Sequence, residues 1–76
     1  MQDEFEQARA HFLEGVAHFE AQRLDEAERC FVASLQQLPD RASTRINLAA
    51  TRLLLGRPAE ALTELEAVLD AEPQHV

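Results

Sequence analysis

The sequence contains no tryptophan, tyrosine or lysine, and only one cysteine, two glycines and three prolines in 76 residues. So few turn-forming residues argue against an all-β fold, which needs a turn after each short strand. Hydrophobic residues make up 46% of the chain, which is enough to form a core. A chain of this length buries only about 60% of its unfolded surface, so we expect one small domain. The scarcity of turn-forming residues makes an all-α domain the expected fold class.

The single cysteine, Cys30, excludes an internal disulfide. It directly precedes Phe31 in a helical pattern, where thiols commonly serve as small hydrophobic side chains. We therefore expect Cys30 to be a structural residue in the core.

Basic charge is also scarce, because 14 acidic residues face seven basic ones and the formal net charge is −7. A phosphate backbone would be repelled, so nucleic acid is not an expected partner. No run approaches the roughly 18 apolar residues of a membrane span, and the acidic N-terminus does not resemble a signal peptide. We expect a cytoplasmic protein without membrane contact, and the use of arginine alone as the basic residue hints at a bacterial source.

Hydrophobic periodicity predicts four helices. The predicted helices cover residues 4–21, 25–38, 41–55 and 58–71. Asp3 with Glu6 has the spacing of a capping box, and so does Asp25 with Glu28. These pairs predict the starts of the first and second helices.

The breaks between the later helices also have recognisable residues. Pro39 is expected to end the second helix, since the residue before a proline avoids helical geometry, and Asp40 is expected to cap the third. Gly56 permits the left-handed conformation that ends many helices, and Pro58 suits the first turn of the fourth. The order is helix, turn, helix, proline, and then the same again.

This order of helices reflects an internal repeat in the sequence. Residues 24–40, moved by 34 positions, align with residues 58–74, so that Ala27 matches Ala61 and Pro39 matches Pro73. Self-similarity at this period is typical of helical-repeat arrays. Small residues at Gly15, Ala27, Ala49 and Ala61 predict that paired helices approach closely.

The chain resembles the tetratricopeptide repeat family, whose pattern W-x2-L-G-x2-Y, A-x3-F, P can be placed on both copies without a gap. The matching residues are Gly15, Ala27, Phe31 and Pro39 in the first copy and Leu48, Ala61 and Pro73 in the second. The departures are His11, Glu14 and His18 in the first copy, and Arg45, Ala49, Arg52 and Leu65 in the second. The resemblance implies one domain over residues 1–76, with repeats at about 8–41 and 42–75 that form two stacked helix-turn-helix hairpins, a fragment of a right-handed α-solenoid.

The family also implies a protein-protein interaction module in which the first helix of each repeat lines a concave groove. The corresponding residues here are Phe12, Val16, Phe19, Ile46, Asn47, Ala50 and Leu53. Some relatives hold the carboxylate of a chaperone tail with Lys, Asn and Arg in this groove, but only Asn47 fits that set. The same apolar residues are also compatible with an ordinary core, since Phe12, Val16 and Phe19 are the only apolar stripe of the first helix, and the sequence leaves both interpretations open.

Two further functions are considered. His11, Glu14 and His18 share one helical face and have a spacing that could hold zinc, although a polar outer face is the simpler interpretation. No nucleophile is paired with a base and no phosphate-binding loop is present, so neither an enzyme nor a cofactor is expected.

The acidic residues of the fourth helix are expected to form a solvated face, with binding of a basic partner as the alternative. These residues are Glu60, Glu64, Glu66, Asp70 and Glu72.

The fourth helix also carries an apolar face that one neighbouring hairpin cannot cover. Its residues are Leu62, Leu65, Val68 and Leu69. Val76 occupies the first position of a third repeat, so we expect the chain to be part of a longer protein. Self-association through this apolar face, most simply as a homodimer, is the alternative function.

Overall fold

The computed structural model describes residues 3–71, which form four α-helices connected by short turns. The helices are α1 (Glu4–Glu20), α2 (Leu24–Gln37), α3 (Ala42–Leu54) and α4 (Pro58–Ala71). Every predicted helix end lies within one residue of the observed one. The all-α fold is confirmed. Three residues used in the sequence predictions lie outside the described residues, namely Glu72, Pro73 and Val76.

The helices pack as two hairpins. The first hairpin pairs α1 with α2, the second pairs α3 with α4, and the two stack mainly through α2 against α3. A smaller contact joins α1 to α3, so the first helices of the two repeats lie side by side. Within residues 3–71, no helix is long and apolar enough to cross a membrane.

Of the three N-cap residues predicted from the sequence, one is correct and two are wrong. The Asp3 carboxylate accepts from the Glu6 amide at 2.8 Å and the Glu6 carboxylate accepts from the Asp3 amide, which completes the capping box of α1. In contrast, α2 and α3 begin after Arg23 and Arg41, which provide no side-chain cap. An arginine side chain has no acceptor for helix amides. At these starts the backbone carbonyls of Arg23 and Arg41 accept from the amides of Ala27 and Arg45, at 3.0 and 3.2 Å.

Asp25 and Asp40, the predicted caps, have different positions. Asp25 lies inside the first turn of α2, where its charge favours the positive end of the helix dipole. Asp40 lies in the turn before α3, and the Arg41 amide donates to the Leu38 carbonyl at 3.4 Å. This extra turn residue moves the start of the helix to Ala42.

Both hairpin turns use the same backbone motif, at positions 34 residues apart. Gln22 and Gly56 have φ angles of 63° and 79°, in the left-handed region. In each turn the next amide donates to a carbonyl of the helix's last turn at 2.8 Å, as in a Schellman motif. The role predicted for Gly56 is confirmed, and Gln22 takes the same conformation despite its side chain.

We predict that Gln22→Gly stabilises the protein by about 1 kcal/mol, because a residue with a Cβ adopts the left-handed conformation at a cost of roughly 1–2 kcal/mol. Urea unfolding followed by circular dichroism measures the change. The matched control is Ala10→Gly in the exposed middle of α1, which should destabilise by about 0.5–1 kcal/mol. A Gln22→Gly protein no more stable than the wild type would contradict the prediction.

The core forms where the two hairpins meet. Ala27, Phe31 and Leu48 are its buried members, and Phe31 is 0% exposed. The Phe31 ring lies against Gly15, where an added Cβ would approach the ring to 2.6 Å. Gly15 therefore makes room for an aromatic ring, and Phe12 adds a tilted ring contact with Phe31 at 5.9 Å between centroids.

Polar groups complete the packing between helices. The buried Ser34 hydroxyl donates to the Ala8 carbonyl at 2.8 Å and so connects α2 to α1. Cys30 was expected in the core, but it is only half-buried and is not part of the cluster around Phe31. Burial, with the nearby Glu14 charge, raises the pKa of its thiol.

Candidate functional site

The α1 part of the predicted groove belongs mainly to the core. Phe12, Val16 and Phe19 are half-buried and pack against the cluster that contains Phe31. Their remaining exposed edges lie along α1. The apolar stripe of α1 therefore serves mainly as part of the core.

The α3 part is open to solvent. Ile46 is 49% exposed and Leu53 is 54% exposed, while Ala50 and Asn47 are half-buried between them. The Asn47 amide donates to the Ser43 carbonyl of its own helix at 2.8 Å. Since α1 contacts α3, we use the name α1/α3 groove for the seven predicted groove residues on these two helices.

One residue of this region was not predicted. Leu54 is exposed and, with Phe19 and Leu24, lines a depression of about 600 Å³. Leu54 follows Leu53 in a run of three leucines, and that run was a signal that more than one leucine could reach the surface. The depression lies between the end of α3 and the turn that connects α1 to α2, and Glu20 and Gln22 also line it.

The apolar face predicted on α4 is largely exposed. Leu62 is 56% exposed, Leu65 36% and Leu69 70%. Val68, the fourth predicted residue, is half-buried and lines a depression between α3 and α4. We define the α4 face as Leu62, Leu65 and Leu69.

An ion-pair network joins α3 to both of its neighbours, and the sequence did not predict it. Arg52 donates to Glu28 of α2 at 2.9 Å and to Glu64 of α4 at 3.0 Å. Arg45 also donates to Glu64, at 2.8 Å, and Arg57 pairs with Glu28. Arg45 and Arg52 occupy positions where the repeat pattern has aromatic residues. Their ion pairs hold α3 against its neighbouring helices.

Glu64 was expected on a solvated acidic face, and that prediction is wrong. Its side chain is largely covered and is paired with Arg45 and Arg52. Glu60 lies at the edge of the same network, while Glu66 is exposed. Glu60 and Glu64 thus pair with arginines on the side of α4 that faces α3. Glu66 and Asp70 are exposed beside the α4 face.

The network changes the acid-base properties of Glu28. Hydrogen bonding from Arg57, with help from Arg52, lowers the pKa of this carboxyl below 4.5. A lowered carboxyl pKa stabilises the fold at pH values above the unfolded pKa, and the contribution disappears as the pH falls through the folded pKa. The contribution is therefore complete at neutral pH and is lost in acid.

We predict that Glu28→Gln lowers the free energy of unfolding by about 1 kcal/mol at neutral pH, as expected for a partly screened ion pair. The difference from the wild type should shrink below about pH 4.5. Urea unfolding from neutral to acidic pH measures both quantities. Glu66→Gln, an exposed acid on α4, is the control and should show no such pH-dependent difference. A constant difference at every pH would contradict the role of Glu28.

His11, Glu14 and His18 do not form the metal site that was considered. His11 lies 3.6 Å from Glu14, but His18 accepts a hydrogen bond from the Arg23 side chain at 3.0 Å. Among residues 3–71, no group of three or more His, Cys, Asp or Glu side chains is arranged to hold a metal ion. That remote alternative is set aside.

Comparison with known proteins gives two matches. The tetratricopeptide repeat family matches residues 18–76. A human protein described as FK506-binding protein-like is 35% identical over an alignment of 77 positions, and the alignment covers 91% of this chain and 22% of the human protein. The chain thus spans about a fifth of the length of that relative. No solved structure matches.

Proposed function

Because the chain belongs to the tetratricopeptide repeat family, whose repeats mediate protein-protein interaction, we propose that it binds a peptide or helix of another protein through the α1/α3 groove. In this proposal the module is not catalytic. It recruits its partner by covering apolar surface and makes no covalent change to it.

The observation that supports this proposal most strongly is the exposure of Ile46 and Leu53 on α3. Covering a side chain of this size removes apolar area from water and contributes about 1.5–3 kcal/mol when burial is complete. Phe12 and Phe19 on the neighbouring α1 are half-buried, and in this proposal their exposed edges add to the contact. A partner that buries them gains most of its binding energy from this surface.

The chemistry of the groove also defines what the partner must offer. None of the seven residues of the groove carries a charge. The one polar side chain, Asn47, already donates to its own helix. The groove therefore favours leucine-like or aromatic side chains presented by a helix or extended peptide, and offers no cation to a chain-terminal carboxylate.

The proposal is tested with peptides selected on the immobilised protein from a random display library. We predict that Ile46→Ser combined with Leu53→Ser weakens binding of the selected peptides at least about tenfold, which is roughly 1.4 kcal/mol. Isothermal titration calorimetry measures the affinity. Circular dichroism confirms that the variant keeps its helices, as expected for substitutions at exposed positions.

Leu62→Ser is the matched control, because Leu62 is 56% exposed and Leu53 is 54% exposed. This substitution removes a leucine of equal exposure from a different helix and should leave the affinity unchanged. If it weakens binding as much as the groove substitutions do, the selected peptides do not use the groove and the proposal fails.

A further inference from the structure

The depression of about 600 Å³ beside Leu54 combines an apolar lining with a carboxylate. Phe19, Leu24 and Leu54 are its apolar residues, and Glu20 and Gln22 are its polar ones. Glu20 is the last residue of α1 and Leu54 is the last residue of α3, at equivalent positions 34 residues apart. The depression is therefore built by both repeats, at the point where their first helices end.

We propose that this depression binds an arginine side chain. In the bound state the guanidinium pairs with the Glu20 carboxylate, and the methylene groups of the arginine cover Phe19 and Leu54. Phe19 also belongs to the α1/α3 groove, so the arginine is assigned to the peptide or helix bound there. That assignment rests on the proposed function, whereas the depression itself is defined without it.

The Glu20 carboxylate is available for such a pair. Glu20 is exposed and forms no ion pair within residues 3–71. The backbone carbonyls of Phe19 and His18 already accept from the amides of Gln22 and Arg23, at 3.0 and 2.8 Å. A guanidinium can donate two parallel hydrogen bonds to one carboxylate, which makes arginine the best matched cation.

The two helix ends also favour a positive charge in the depression. The carboxyl end of a helix carries a partial negative charge, and both α1 and α3 end here. The basic residues in their last turns have other partners. His18 accepts from the Arg23 side chain at 3.0 Å, and Arg52 pairs with Glu28 and Glu64. A bound guanidinium would therefore add a cation near both helix ends.

The apolar lining distinguishes arginine from other side chains. Phe19 is half-buried and Leu54 is 63% exposed, so both offer apolar surface to the methylene groups of a long side chain. Arginine also stacks on aromatic rings and is more weakly hydrated than lysine, which favours it beside Phe19. An acidic side chain would be repelled by Glu20, and a purely apolar one would leave this carboxylate unpaired.

The test uses the capped tripeptide Ala-Arg-Ala and its citrulline analogue, in which the side chain keeps nearly the same shape but has no charge. We record ¹H-¹⁵N spectra of the intact labelled chain during titration with each peptide up to about 10 mM, which detects millimolar affinity. The arginine peptide should shift the signals of residues 19–24 and Leu54. It should bind about threefold more tightly than the citrulline peptide, a difference typical of an exposed ion pair, and less so at high salt.

Three variants separate the contributions of charge and apolar surface. Glu20→Gln keeps the size of the side chain, removes its charge and should abolish the preference for the arginine peptide. Glu4→Gln is the matched control, because Glu4 is an exposed acid at the opposite end of α1 and its loss changes the net charge equally. This control should keep the preference. Leu54→Ser should weaken both peptides by a similar factor.

Three results would overturn the inference. They are equal binding of both peptides to the wild type, a preference that survives Glu20→Gln, and unmoved signals of residues 19–24 and Leu54 at about 10 mM peptide. The tripeptides carry no leucine-like side chain for the groove, so this experiment is independent of the library-selected peptides. If the arginine site is confirmed while Ile46→Ser with Leu53→Ser leaves the library peptides bound, only the groove proposal fails. The reverse pair of results removes only the arginine site.

Discussion

Replacing Phe31 with alanine is expected to destabilise the protein by about 3–5 kcal/mol, the usual cost of removing a buried aromatic side chain. Phe31 is 0% exposed, fills the space left by Gly15, and contacts the ring of Phe12. A domain of this size has a total stability of roughly 4–11 kcal/mol, so the loss is a large share of the whole. Thermal and urea unfolding followed by circular dichroism should show a strongly destabilised or unfolded protein.

Phe5→Ala is the matched control for this prediction. Phe5 is 57% exposed, and the Arg41 guanidinium lies over its ring, 5.4 Å from the centroid. Losing an exposed cation-π contact costs about 0.5–1 kcal/mol. If Phe5→Ala and Phe31→Ala destabilise equally, Phe31 does not have the central position in the core that the structure gives it.

Ala61→Leu is expected to cost about 1–3 kcal/mol, because larger side chains in a packed interface force neighbouring groups to move. Ala61 is 1% exposed, as is Ala49, and small residues at these positions let α3 and α4 approach closely. The equivalent Ala27 in the first repeat is 0% exposed. Urea unfolding of the variant measures the change.

Ala59→Leu provides the comparison for Ala61→Leu. Ala59 lies in the same helix, two residues earlier, and is exposed. Since leucine is nearly as good a helix former as alanine, this variant should unfold within a few tenths of a kcal/mol of the wild type. An Ala61→Leu protein that is equally stable would show that the register of the second hairpin is different.

The helices and their order could be predicted from the sequence because their signals are local. Apolar periodicity located each helix, and Gly56 and Pro58 marked the second hairpin turn as the structure has it. Such signals lie within a few residues of what they specify. The predicted caps of α2 and α3 were wrong because Asp25 and Asp40 have suitable side chains but not the cap position. Asp25 lies two positions after the actual N-cap, Arg23, and Asp40 lies one position before the actual N-cap, Arg41.

The ion-pair network could not be predicted in the same way. Arg52 and Glu28 are 24 residues apart, and Arg52 and Glu64 are 12 apart, in three different helices. Glu64 alone resembles any other acid on a polar helix face. Only the stacking of the hairpins shows that this acid faces α3 and becomes largely covered.

The groove shows a different limit of sequence reasoning. A stripe of apolar residues on a helix has the same pattern whether it faces a core or a partner. The structure separates the two halves, with Phe12 and Phe19 of α1 packed against the core and Ile46 and Leu53 of α3 exposed. The difference depends on which helix faces the cluster around Phe31, and periodicity carries no information on that.

NMR mapping of a bound peptide shows whether a partner binds across α1 and α3. The measurement records ¹H-¹⁵N spectra of the labelled chain during titration with one of the library-selected peptides. We expect the largest shift changes at Val16, Phe19, Ile46, Ala50 and Leu53, with little change along the exposed side of α4. Changes concentrated on Leu62, Leu65 and Leu69, with the α3 signals unmoved, would contradict it.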